Sequence, residues 1–125
     1  MLGLQVLDMR SPTGDVQIKK NQLISTIPYI GKEFVVSFNL VFWDFPSNMY
    51  ESVLHMTRGG NAGVLGDRIP AIWVTSGQKL HVASAIDSTV NKWYDISGIR
   101  KQAFNKVTVQ QLLNNGKVWL VFPTQ

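Results

Sequence analysis

Hydrophobic and polar residues alternate along several short stretches of this chain, most clearly along Phe34–Phe42, where every second residue is large and apolar. A period of two is that of a β-strand with one face against a core. Two more runs, Ile69–Thr75 and Lys79–Ile86, are rich in β-branched and aromatic residues and flank the glycine-containing residues 76–78. Because such runs around a small polar turn favour antiparallel pairing, they predict a central hairpin.

The other alternating segments are also short, and none has convincing helical periodicity. Asp87–Asn91 is polar and is predicted to connect two strands, and Asn114–Gly116 has the Asn-Gly signature of a type I′ turn. About nine antiparallel strands predict an all-β fold, either a two-sheet jelly-roll sandwich or a barrel. The further predicted strands are Leu2–Met9, Val16–Ile27, Tyr50–Thr57, Lys92–Ser97, Phe104–Leu113 and Lys117–Phe122.

The central hairpin and the glycine-rich segment before it carry a family resemblance. GGNAGVLGDRIPAIWV and the later LHVASAID are similar to the central hairpin of laminin G-like, concanavalin A-like β-sandwich domains found in extracellular invertebrate proteins. Val16–Pro28, Gly31–Phe42 and Phe104–Phe122 fit the same pattern in order. The resemblance favours the jelly-roll sandwich over the barrel. The family pattern usually continues beyond the last hairpin, so we expect either a compact variant or a shortened domain with an uncovered edge strand.

Composition is that of one packed domain over residues 1–125, with 45% hydrophobic and 16% charged residues. There is no cysteine, which excludes disulfides and thiolate metal sites. The net charge of +4 would suit a protein that binds nucleic acid. The basic residues are scattered along the chain, however, so we expect no specific nucleic-acid binding. No signal peptide and no run long enough to span a membrane is visible in this chain.

Catalytic motifs are missing, and we expect no enzymatic activity. The paired carboxylates of jelly-roll glycosidases need an E-x-D-x-E strand, whereas the two glutamates, Glu33 and Glu51, stand far apart. His55 and His81 are the only histidines, so no three-histidine metal site can form. Each lies in a predicted strand among apolar neighbours, and we expect each to be partly buried and hydrogen-bonded to an adjacent strand or loop.

The glycine-rich loop and the polar residues near it are the predicted binding residues. Asn61, Asp67 and Arg68 lie in or at the end of this loop, whose glycines let the backbone approach a ligand closely. Asp67 and Arg68 also suit a purely structural role, as a local ion pair or a turn cap. Asp67 has no acidic neighbour closer than Glu51 or Asp87, but a calcium site could combine separate loops, for instance Asp67 with Asp87. Trp43 begins a loop from which its ring could stack on a sugar.

These observations, taken with the resemblance, predict a non-catalytic extracellular module that binds a glycan or a protein partner through loops at one rim. No cofactor is expected, with calcium the single alternative. The second hypothesis is a structural protein that self-associates through its uncovered edge strand.

Overall fold

The computed structural model describes residues 18, 19, 23, 26, 31–61, 63–86, 89–114 and 117–121. These residues form β-strands, turns and loops, and none of them is helical. Among them, therefore, no helix has the length and apolarity to cross a membrane. The strands are β1 (Phe34–Leu40), β2 (Tyr50–His55), β3 (Ala71–Thr75), β4 (Leu80–Ile86), β5 (Thr89–Ile96), β6 (Asn105–Asn114) and β7 (Lys117–Val121).

The strands form two antiparallel sheets. One has the order β1-β6-β7, and the other is a four-stranded meander in the order β2-β3-β4-β5. The pairing of β1 with β6 joins segments far apart in the chain, in register from Phe34 opposite Gln111 to Leu40 opposite Asn105. The chain therefore leaves the smaller sheet after β1, builds the whole meander and then returns to close the smaller sheet.

The core lies between the two sheets and contains residues from both. Leu80 and Val82 of β4 meet Phe34 of β1 and Val107 of β6 in a single apolar cluster, to which Ile99 from the β5–β6 connection also belongs. The alternating face predicted for Phe34–Phe42 contributes to this cluster, because Phe34 and Leu40 are buried and the three residues between and after them pack against it. That sequence prediction is confirmed.

One buried polar contact also links the sheets. The Ser84 hydroxyl of β4 donates to Oε1 of Gln111 on β6, at 2.8 Å. Gln111 Nε2 donates in turn to the carbonyl oxygen of Lys32, which lies just before β1, at 2.9 Å. Because both side chains are buried, their polar atoms satisfy one another rather than water.

The all-β prediction is confirmed, while some predicted boundaries were wrong. Asp87–Asn91 was predicted as a connector, but β5 already begins at Thr89, and Thr89 pairs with Ile86 of β4. A register shift between Ser84 and Ile86 lets this polar stretch continue the ladder at the sheet edge, where half-exposed polar side chains are tolerated. The predicted strand Leu2–Met9 and the Asn-Gly turn at residues 115 and 116 lie outside the described residues. Of the predicted strand Val16–Ile27 only residues 18, 19, 23 and 26 are described, and none of these four is in a strand.

Candidate functional site

The glycine-rich segment forms a loop that extends the β2–β3 hairpin. Backbone bonds continue past the strand ends: Met56 N donates to Pro70 O and Ile69 N donates to Met56 O, both at 2.9 Å. Farther out, Arg58 N donates to Gly66 O at 2.9 Å. We call residues 57–68 the glycine loop. Its base is therefore anchored by the hairpin ladder.

Asp67 organises the inside of the glycine loop. Its buried carboxylate accepts hydrogen bonds at Oδ2 from the backbone N–H groups of Gly63, at 2.7 Å, and Val64, at 2.9 Å. Its own carbonyl oxygen lies 2.6 Å from Nε2 of His55. Because a carbonyl oxygen can only accept, Nε2 of His55 carries the proton. The Asp67 carboxylate thus caps its own loop, which is one of the structural roles predicted for it from the sequence.

Gly60 packs against that carboxylate so closely that a larger residue cannot fit without moving it. A Cβ added at Gly60 would lie 2.5 Å from Oδ1 of Asp67. We expect Gly60→Ala to lower the free energy of unfolding by about 1 to 2 kcal/mol, because Asp67 must move away from its two amide donors. Urea denaturation of the purified variants measures this.

The double variant Gly60→Ala, Asp67→Ala tests the cause, since the clash disappears with the carboxylate and the cost of Gly60→Ala should then shrink. Gly77→Ala is the matched control. Its new Cβ would meet only the Thr75 hydroxyl at 3.6 Å, and we expect a change within about 0.5 kcal/mol. An equal cost of Gly60→Ala with and without Asp67 would contradict the explanation.

Arg68 connects the glycine loop to the four-stranded sheet. Its Nε donates to the Asn61 carbonyl oxygen at 2.7 Å, and its Nη2 donates to Asn61 Oδ1 at 3.0 Å. On the other side, Nη1 donates to Oδ1 of Asn91 on β5, at 2.9 Å. The guanidinium carbon lies 4.6 Å from the ring centre of Trp73, a cation–π distance. Asn61 and Asn91 thus hold the guanidinium over the Trp73 ring.

The face of the meander turned away from the core carries a row of rings. Ile72 and Val82 face the core, so their neighbours Trp73 and His81, which pair across β3 and β4, face outward. The centre of the His81 ring lies 5.0 Å from that of Tyr50, 5.5 Å from that of Trp73 and 5.2 Å from that of Trp93. We call these four residues the aromatic row. It contains one residue from each strand of the sheet.

His81 forms the floor of the aromatic row, and an acid fixes its ring. His81 is only 9% exposed, whereas Tyr50 and Trp93 on either side of it are 46% and 53% exposed. Nδ1 of His81 lies 2.6 Å from Oδ1 of Asp95, its cross-strand partner on β5. An ionised carboxylate only accepts, so Nδ1 carries the proton. The ring is therefore oriented by Asp95 and packed between its aromatic neighbours.

The residues predicted from sequence fall into separate places. Asn61, Asp67 and Arg68 lie together in the glycine loop, beside the aromatic row. Trp43 follows β1 of the smaller sheet, is 75% exposed and is not part of the aromatic row. Its carbonyl oxygen accepts a long hydrogen bond from Gln102 Nε2 at 3.4 Å. Asp87 lies outside the described residues. Within the described part of the chain, no group of three or more potential metal-ligating side chains occurs.

Sequence reasoning found the loop but missed the row. Both histidines make the hydrogen bonds predicted for them, to a loop carbonyl and to a neighbouring strand. His81 is also buried, but the predicted partial burial was wrong for His55, which is exposed at the end of β2. The sequence did not single out Tyr50 or Trp93 as binding residues. The period of two along β3 does, however, predict that Trp73 lies on the outer face of the sheet, away from the core-facing side chains of this strand. The signal that could have found the row is the outward position of aromatic residues on several strands of the same meander.

The fold and this site define an all-β protein of two antiparallel sheets that carries exposed rings on one outer sheet face. No family model, curated protein or solved structure matched the chain. The laminin G-like resemblance therefore remains a prediction from the sequence.

Proposed function

We propose that this domain is a non-catalytic extracellular recognition module that binds a glycan on the outer face of its four-stranded sheet. The observation that carries the proposal is the aromatic row, in which Tyr50 and Trp93 expose about half of their surface. The flat face of an aromatic ring is apolar and suits the C–H-rich face of a pyranose. Exposed rings that lie together on one sheet face are typical of a binding surface, whereas single exposed hydrophobic residues occur on most proteins.

The polar groups beside the rings suit a glycan ligand. Asn61 and Asn91 lie at one side of the row, held by Arg68, and Asp95 lies at the other beside His81. Amide, guanidinium and carboxylate groups supply both donors and acceptors, which sugar hydroxyls require. A protein partner, the alternative, would use the same Tyr and Trp rings as anchors inside a polar rim.

The proposal also includes the particular type of β-sandwich. We infer a laminin G-like jelly roll, because the resemblance in sequence agrees with two antiparallel sheets closed by the distant β1–β6 pair. Extracellular localisation also follows from the resemblance. Calcium binding at the glycine loop is not included, because the Asp67 carboxylate is already bonded to two loop amides.

Replacement of Trp93 by alanine tests the proposed surface. We expect the wild-type protein to bind glycans on an array, and Trp93→Ala to weaken that binding roughly 30-fold, the effect typical of losing a central aromatic anchor. The array is run with and without calcium, and titration calorimetry with the best glycan gives the affinities. Because Trp93 is half exposed, its loss should leave the thermal transition little changed.

Two variants make the outcome specific. Trp43→Ala removes the tryptophan predicted from sequence, and loss of binding there but not in Trp93→Ala would locate the ligand at the rim and refute the sheet-face proposal. Phe104→Ala removes an aromatic ring that is likewise exposed but lies outside the row, and it should bind like the wild type. Silence on the array, together with a mass that rises with concentration in light scattering, would instead favour self-association through an edge strand.

A further inference from the structure

We infer that Arg68 binds a negatively charged group, so that the ligand of the outer sheet face is an acidic glycan that carries a carboxylate or a sulfate. The inference rests on the proposed function and adds the chemical class of the ligand. It follows from the bonds of the Arg68 guanidinium, from the charges around it and from its place beside the most exposed ring of the aromatic row.

The positive charge of Arg68 has no negative partner within the described part of the chain. Among those residues its guanidinium donates to neutral acceptors, which are the carbonyl oxygen and Oδ1 of Asn61 and Oδ1 of Asn91. The adjacent acid, Asp67, is buried, and its Oδ2 accepts from two backbone N–H groups inside the glycine loop. No ion pair formed among the described residues includes Arg68. A cation that is held in place without a counter-charge attracts an anionic ligand.

The guanidinium is also oriented, and it keeps donors for a ligand. Nε and Nη2 donate to Asn61, Nη1 donates to Asn91, and the guanidinium carbon lies 4.6 Å from the ring centre of Trp73. Because each terminal nitrogen carries two N–H groups and uses one of them, one N–H remains on Nη1 and one on Nη2. Carboxylate and sulfate oxygens accept from arginine in charge-assisted bonds, which are stronger than bonds between neutral groups.

The glycine loop around Arg68 adds to the positive charge. This loop contains Arg58 and Arg68 but only one acid, Asp67. Arg58 is exposed, whereas the carboxylate of Asp67 is turned into the loop and bonded there. The side of the aromatic row next to the glycine loop is therefore electropositive, and it suits an acidic ligand better than a neutral one.

The charge lies close to the ring on which a sugar would stack. Asn91, which accepts from Arg68, is two residues from Trp93 along β5, and successive residues of a strand are about 3.3 Å apart. A sugar stacked on Trp93 can therefore reach the guanidinium with an acidic substituent. The ring then takes the C–H-rich face of the sugar, and the cation takes its charged group.

Matched pairs of charged and uncharged saccharides test the inference. Hyaluronan oligosaccharides are compared with the same oligosaccharides after reduction of their carboxylates to alcohols, and sulfated dextran oligosaccharides with unsulfated ones, by calorimetry at low salt. For at least one pair we expect the charged member to bind about tenfold more tightly, an advantage typical of hydrogen bonds to a charged group. Added sodium chloride should reduce this advantage, because salt screens the charges. The pair that has the advantage distinguishes a carboxylate from a sulfate.

Variants locate the charge that is responsible. Arg68→Gln should abolish the advantage of the charged member. Arg100→Gln is the matched control, because it removes the same charge from an exposed residue of the β5–β6 connection, and it should keep the advantage. Since Arg68 also braces the glycine loop, Arg68→Lys is the second variant. It keeps the charge without the planar group, and it should keep a weaker, still salt-dependent advantage. The thermal transition of each variant reports whether the fold is intact.

The outcomes separate the inference from the proposed function. An equal advantage in the wild type, Arg68→Gln and Arg100→Gln would mean that the overall positive charge is responsible, and the inference would be overturned. If the uncharged members bind as tightly as the charged ones and Trp93→Ala weakens both, the inference is overturned and the proposed function stands. If no saccharide binds, or binding is indifferent to Trp93→Ala, the proposed function falls, and the inference with it.

Discussion

Replacing Leu80 by alanine is expected to lower the free energy of unfolding by about 2 to 5 kcal/mol. Leu80 begins β4, is fully buried and belongs to the apolar cluster between the sheets. It lies opposite Val74 on β3 and Ile96 on β5, so its loss leaves a cavity in the apolar cluster between the sheets. The cost combines the lost transfer free energy of the side chain with that of a cavity the surrounding strands cannot close. Urea denaturation followed by tryptophan fluorescence measures it.

Leu23→Ala is the matched control, because it is the same substitution at a residue that is 80% exposed, against 0% for Leu80. We expect a change within about 0.5 kcal/mol. Similar stabilities for the two variants would show that the cluster between the sheets is not the core of this protein, and the two-sheet packing described above would then be wrong.

Replacing Asn105 by aspartate is expected to cost about 3 kcal/mol although the two side chains have nearly the same shape. Asn105 begins β6 and is buried. Its Nδ2 donates to the carbonyl oxygens of Arg100 at 2.8 Å, Leu40 at 3.2 Å and Ala103 at 3.2 Å. Its Oδ1 accepts from Arg100 N at 2.8 Å. An aspartate carboxylate cannot donate, so it would place a buried negative charge against three acceptors.

Asn39→Asp makes the same chemical change on an exposed position of β1, opposite Lys106 of β6. There the new charge remains hydrated and faces a cation, and we expect a change within about 0.5 kcal/mol. Thermal denaturation of both variants at one pH distinguishes them. A stable Asn105→Asp variant would mean that the end of β1 and the β5–β6 connection are not tied together through this side chain.

Much of the fold was accessible from the sequence because burial on one face imposes a period of two. That rule located β1 from Phe34 onward and found both strands of the central hairpin to within two residues. It failed at the start of β5, where Thr89 pairs at a sheet edge and the side chains are mostly exposed. An edge strand has no buried face over much of its length, and therefore carries little periodic signal.

Part of the candidate site was likewise predictable from the sequence, and part was not. Gly60, Asp67 and Arg68 are close in the chain, so local reasoning could find the glycine loop and the capping role of Asp67. Tyr50 and Trp93 are brought to opposite sides of His81 only by the order and register of four strands. No local pattern contains that register.

By itself, then, the sequence determined an all-β chain with a hydrophobic face on its clearest strand, a central hairpin and a glycine loop shaped by its own aspartate. These features depend on contacts between residues near one another in the chain or on the period of a strand. The tertiary structure alone decided which strands share a sheet, and hence that the aromatic row and Arg68 meet on one outer face. The physical reason is that cross-strand neighbours are selected by the packing of the whole core, since shifting the register by one residue would turn buried side chains to solvent.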